Sequence, residues 1–273
     1  MTDSVLPPPT TDPASRGNGP DAGFDNHVAG ESTPITRNIA VEMVATTFVM
    51  LAGPGSLALT SGGVGDLGAA LAFGAAMAIS IAVLGAVANP MFTLALLLVR
   101  EISPREALGD WIGQFAGGIF GALMIFGIND LNRAERGANG WDRNGFGALG
   151  SVISAELIFG IVVVVVLLMS ISKGFSMTSI AMFTGTAYAM AHLVLLDLDG
   201  GGINPARSLG SALFSDTDPN ALGQVWVFVL VPFVAALGGV FVWLAIDDAE
   251  IDDTIFDETP LDDLQNRLTG DTD

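Results

Sequence analysis

Gly201-Gly202-Ile203-Asn204-Pro205-Ala206-Arg207-Ser208 and, in the first half of the chain, Asn89-Pro90-Met91-Phe92-Thr93 are the stretches on which the fold turns. In each, an Asn-Pro pair opens a short apolar piece, Pro90 to Val99 and Pro205 to Phe214. Asn accepts at a helix N-cap, and Pro at the first helical position gives up only an amide hydrogen that had no partner inside the helix. Pieces of this length are too short to cross a bilayer and suit re-entrant segments.

Around them lie six longer apolar runs, roughly 38–59, 67–87, 106–128, 151–171, 177–197 and 222–246. Each is long enough to span a membrane. Glu42 in the first run precedes Asn89 by 47 residues and Glu156 in the fourth precedes Asn204 by 48, so the halves repeat at an offset of 114 to 115. Three spans per half is an odd number, which makes the second half enter the membrane from the opposite side. The expected fold is an all-α polytopic membrane protein with six transmembrane helices and two re-entrant half-helices in two inverted repeats.

The repeats occupy 37–128 and 151–246 of a channel domain at 37–246, joined by a loop at 129–150. Residues 1–36 read as a disordered acidic tail without the basic and apolar regions of a signal peptide. Residues 247–273, with eleven carboxylates against Arg267 alone, read as a second acidic tail with a short interfacial helix around Leu261 to Leu268. An even number of spans puts both termini on one side.

Inverted half-helices would meet head to head near the midplane, both positive dipole ends facing one cavity and repelling cations and protons. Irregular backbone at that depth survives only in protein or beside a wet cavity, so the approaches to Asn89 and Asn204 should border a pore. The alternative, a plain turn between spans, fits the second copy poorly.

Composition agrees with this class. The chain is 51% hydrophobic and 14% charged, with a mean hydropathy of +0.57. Its net charge of −19 comes from carboxylates lying mostly in tails and loops. Asp outnumbers Glu by 21 to 8 and Lys173 is the sole lysine, an acidic surface that suits a high-salt habitat, where screening shortens the Debye length to about 3 Å at 1 M. The absence of cysteine and the presence of only His27 and His192 argue against a metal site, and no nucleic-acid partner is expected.

The stretch from Gly201 to Ser208 resembles the second signature of the aquaporin, or major intrinsic protein, family, and Asn89-Pro90-Met91 resembles the first, usually Asn-Pro-Ala. The likeness runs from 38 to 246 in order and spacing, with support from Gln114 and Pro232-Phe233. Met91 departs from the usual Ala against Ala206 in the second copy. Leu71-Ala72-Phe73-Gly74 resembles a second-span motif, yet Asn89 follows Phe73 by only 16 residues, about four fewer than usual. Either the first re-entrant loop is tighter or the second span is shorter.

The resemblance implies roles for single residues. Asn89 and Asn204 would be the pore asparagines, while Phe73, His192, Gly201 and Arg207 would form the narrowest constriction. Glu42 and Glu156 would accept hydrogen bonds from the re-entrant loops. An arginine among apolar residues costs at least about 2.5 kcal/mol if unpaired, so Arg207 should face the water path or pair with Asp197 or Asp199. His192 stands where water-selective members have histidine and glycerol channels a smaller residue; a backbone-bonded core histidine is the bland alternative.

The implied activity is passive conduction of water by a homotetramer in the cell membrane, termini cytoplasmic, with no enzymatic step and no cofactor. An aquaglyceroporin and an inverted-repeat secondary transporter are the alternatives.

Overall fold

The computed structural model describes residues 34–60, 63–134, 136–142, 146–247 and 254–255. The tail readings, including the helix at 261–268, lie almost wholly outside the described residues.

Helices, in chain order, are α1 (Ile35–Leu59), α2 (Gly65–Ile79), α3 (Pro90–Leu98), α4 (Pro104–Ile128), α5 (Leu149–Ser172), α6 (Met177–Asp199), α7 (Pro205–Leu213) and α8 (Ala221–Ile246). Among the described residues six helices are long and apolar enough to cross a membrane, α2 being counted with the wider π turn Ser80–Leu84 that continues it. α3 and α7, nine residues each, are the half-helices.

Local chemistry sets these limits. Asn89 caps α3 by accepting from the Met91 amide at 3.0 Å, Asn204 caps α7 through the Arg207 amide at 3.2 Å, and a proline follows each asparagine. Ser103 and Glu106 close a reciprocal capping box at the start of α4. The second span ends at Leu84, short of the 87 read from sequence, because Gly85 leaves the helix in the left-handed conformation at φ 65°. Of the two explanations for the missing residues, the shorter span is the one seen: Gly85 to Asn89 has the same length as Gly200 to Asn204.

In lipid no hydrophobic force drives one helix onto another, so close backbone approach does that work. Along α4, Gly113, Gly117 and Gly121 lie at four-residue steps against α1, where an added Cβ would come within 2.4 Å, 2.4 Å and 2.5 Å of Ile39, Met43 and Met50. On the next face, Gly118 meets the Ala206 carbonyl of α7, with an added Cβ 2.3 Å from it. These contacts seat the half-helix against α4 and place its N-terminus in the interior.

α2 and α6 pack through Gly74 and Gly185, each of which would clash with the other's carbonyl if it bore a side chain. An added Cβ on Gly74 would also lie 2.5 Å from that of Ala189, its counterpart 115 residues on. Residues that touch their own repeat counterparts lie beside the pseudo-two-fold axis.

Candidate functional site

The two re-entrant approaches have matching backbones. Gly85 and Gly200 leave their helices at φ 65° and 87°, and Ala88 and Ile203, just before the asparagines, hold φ 48° and 50°. For a β-branched residue such as Ile203 this region is strained, about 1–3 kcal/mol, and persists only where surroundings fix it. The glutamates supply that fixing.

Glu42 of α1 accepts from the amides of Val87 at 2.9 Å and Ala88 at 2.8 Å. Gln114 also donates to it at 3.0 Å and to Thr93 at 2.8 Å, tying α1, α4 and α3 together. Glu156 of α5 accepts from the Ile203 amide at 2.7 Å. Gly202 gives that carboxylate room, since an added Cβ would stand 2.0 Å from Glu156 Oε1.

With the loops so held, the carbonyls of Ala88 and Ile203 turn toward the opposite half. Asn89 Nδ2 donates to the Ile203 carbonyl at 2.9 Å and Asn204 Nδ2 donates to the Ala88 carbonyl at 2.8 Å. Each amide nitrogen has a second hydrogen beyond this bond. Both half-helices therefore start at one place, with their positive ends and remaining amide hydrogens converging.

Phe73, His192 and Arg207 come together, all fully buried. The Phe73 and His192 rings stack at 4.0 Å between centroids, and the Arg207 guanidinium carbon lies 5.3 Å from the Phe73 centroid. Gly53 of α1 leaves the slot for Phe73, whose ring would be 2.2 Å from a Cβ there. Gly201, at φ 75°, likewise makes way for His192, which would be 2.8 Å from its Cβ. The missing side chain at Gly201 thus leaves the space that seats the imidazole.

His192 Nδ1 lies 2.8 Å from the Tyr188 carbonyl. A carbonyl only accepts, so Nδ1 holds the hydrogen and a neutral ring presents Nε2 as an acceptor. Nε2 makes no well-formed protein hydrogen bond and lies beside Gly201. The backbone bond weighed as the alternative is present, and it orients the ring instead of consuming it.

Arg207 donates through Nη2 to the Gly200 carbonyl at 2.8 Å and through Nη1 to Asn139 Oδ1, leaving Nε without a protein partner. The ion pair considered from sequence is replaced by these neutral anchors: Asp197 is exposed, and Asp199 turns its Oδ1 to the Gly201 amide at 2.8 Å. A cavity of about 630 Å³ leads toward this group, lined by Asp66, Arg136, Gly200, Asp216 and Thr217 among others.

Met91 is buried, its sulfur facing Gly160 of α5, where an added Cβ would lie 3.3 Å from it. It fills a wall. Pro90 and Pro205 hold the first helical positions, and Ala206 packs on Gly118.

Sequence reading missed Asn139 and Tyr188. Asn139 lies in the irregular connection between α4 and α5, outside any motif. Tyr188 carried a signal that went unused, since it precedes Asn204 by 16 residues just as Phe73 precedes Asn89.

Comparison with known proteins places the chain. The profile described as Major intrinsic protein matches residues 30–243. Among curated proteins, Aquaporin Z of Brucella melitensis is 30% identical over 226 residues, covering 76% of this chain and 96% of that one. Glycerol uptake facilitator protein-like 6 of Lactiplantibacillus plantarum is 29% identical over 212 residues, covering 75% and 95%. Among solved structures, the aquaglyceroporin from Plasmodium falciparum superposes with a TM-score of 0.66 at 19% identity, over 85% of this chain and all of that one, a likeness of fold. A matched span of 30–243, two re-entrant half-helices and a relative aligned over nearly its whole length agree: this chain belongs to the major intrinsic protein family, whose members are passive membrane channels and not enzymes.

Proposed function

We propose that this channel passes water in preference to glycerol and excludes ions and protons. The observation that supports it most is the convergence of Phe73, His192 and Arg207. Two rings narrow the passage, while Nε2 of His192 and Nε of Arg207 offer one acceptor and one donor to a solute in transit. Arg207 and the half-helix ends make the interior positive, which opposes cations.

A glycerol channel would need a roomier constriction than a stacked Phe-His pair leaves. A secondary transporter would need a carboxylate free for its substrate, whereas Glu42, Glu156 and Asp199 each hold a loop amide. The reading includes a homotetramer in the cell membrane with both termini cytoplasmic, and an acidic surface adapted to salt.

The test is osmotic shrinkage of proteoliposomes followed by light scattering. Water permeability above that of protein-free vesicles, unsaturated and indifferent to proton or sodium gradients, is expected. Flux that needs such a gradient would replace the channel reading with a transporter.

A further inference from the structure

Phe73 and Tyr188 are repeat counterparts, 115 residues apart as Asn89 and Asn204 are, and they touch, with ring centroids 6.3 Å apart at 63°. The asparagines and this aromatic pair therefore straddle the same pseudo-two-fold axis. Tyr188 of α6 thus stands between Phe73 of α2 and the start of α3. Tyr188 is the chain's only tyrosine and is fully buried. Its ring also contacts His192 at 4.4 Å and Phe92 of α3 at 6.2 Å, bridging the constriction to the half-helix start.

The hydroxyl fixes which way the residue faces. It lies beside the Asn204 side chain, within hydrogen-bonding reach of the half-helix start. A buried hydroxyl needs polar company, and here that company is the pore asparagine, so the polar end of the tyrosine is turned toward the half-helix ends. With His192 Nε2 and with Arg207 Nε, which has no protein partner, the hydroxyl belongs to one polar line from the constriction to the asparagines.

We infer that Tyr188 is a second size-selecting residue of this channel: its ring, set against Phe73 opposite the asparagine pair, narrows the pore below the His192–Arg207 constriction and excludes glycerol-sized solutes there. This deepens the water-channel reading and rests on it. Two barriers in series make a specific demand: opening the upper one alone leaves the lower one limiting.

The experiment measures water and glycerol permeability of proteoliposomes holding wild type, His192→Gly, His192→Gly/Tyr188→Ala and His192→Gly/Tyr188→Phe, each checked for a monodisperse elution profile and helical circular dichroism. If the alanine variant fails that check, Tyr188→Val takes its place. Glycerol permeability should rise by about tenfold or more from the single variant to the alanine double variant. The phenylalanine double variant, with the ring kept, should stay at the single-variant level. Equal glycerol flux in His192→Gly and His192→Gly/Tyr188→Ala would overturn the inference, as would a phenylalanine variant as leaky as the alanine one. A wild type that conducts no water would defeat the water-channel reading separately, while the inference would still be decided by the glycerol step from His192→Gly to His192→Gly/Tyr188→Ala.

Discussion

Asn89 and Asn204 are joined by reciprocal hydrogen bonds, each side chain donating to the carbonyl of the residue that precedes the other, at 2.9 Å and 2.8 Å. Each asparagine does two jobs, its oxygen capping its own half-helix and its nitrogen binding the opposite loop. Asn204→Asp separates them. The carboxylate still caps Arg207, but it sets an oxygen against the Ala88 carbonyl. A loss of about 1–3 kcal/mol is expected, seen as a lower thermal unfolding midpoint in detergent, with a retained midpoint counting against the cross-bond.

The glutamates are equivalent in sequence and unequal in bonding. Both oxygens of Glu42 take backbone amides, whereas Glu156 takes one well-formed amide bond through Oε2 and sets Oε1 against Gly202. In Glu42→Gln one of the Val87 and Ala88 amides must face an NH₂ group, but in Glu156→Gln the amide nitrogen can take the Oε1 side. The first should cost about 1–3 kcal/mol and the second less. Equal unfolding midpoints would show that the difference in bonding has no consequence.

Glycine substitutions separate contact from helix propensity. Gly202→Ala drives a Cβ into Glu156, so folded yield and flux should fall together, at a cost of about 1–3 kcal/mol for overpacking. Gly127→Ala on α4 meets nothing within 4 Å and should be neutral or stabilising by up to about 1 kcal/mol. Matched expression and thermal melts of the two variants check this.

Much of this was legible beforehand. Asn-Pro at a helix start has a local physical meaning, and its recurrence at one offset with Glu42 and Glu156 at matching depths announced the inverted halves. The end of α2 was not legible, because Ser80-Ile81-Ala82-Val83-Leu84 is as apolar as an α-helix and nothing in it announces the π turn. Tyr188 was hidden for a related reason: an aromatic residue in an apolar span reads as packing until its counterpart Phe73 is found across the axis. Asn139 belongs to no periodic pattern. Only the fold brings it to Arg207.

Asn139 yields its own prediction. Asn139→Ala removes the Nη1 anchor and leaves the Gly200 carbonyl to position the guanidinium. The ratio of glycerol to water permeability should rise severalfold as Arg207 gains freedom, with folding little changed. An unaltered ratio would mean that Gly200 alone suffices.

The central claim is that the passage beside His192 and Arg207 admits water and rejects glycerol. Its most direct measurement is the ratio of water to glycerol permeability of the purified wild-type channel in one proteoliposome preparation, each corrected for protein-free vesicles. A large water increment with glycerol entry near the vesicle background is expected; glycerol entry that rises in step with water would show that the constriction does not select.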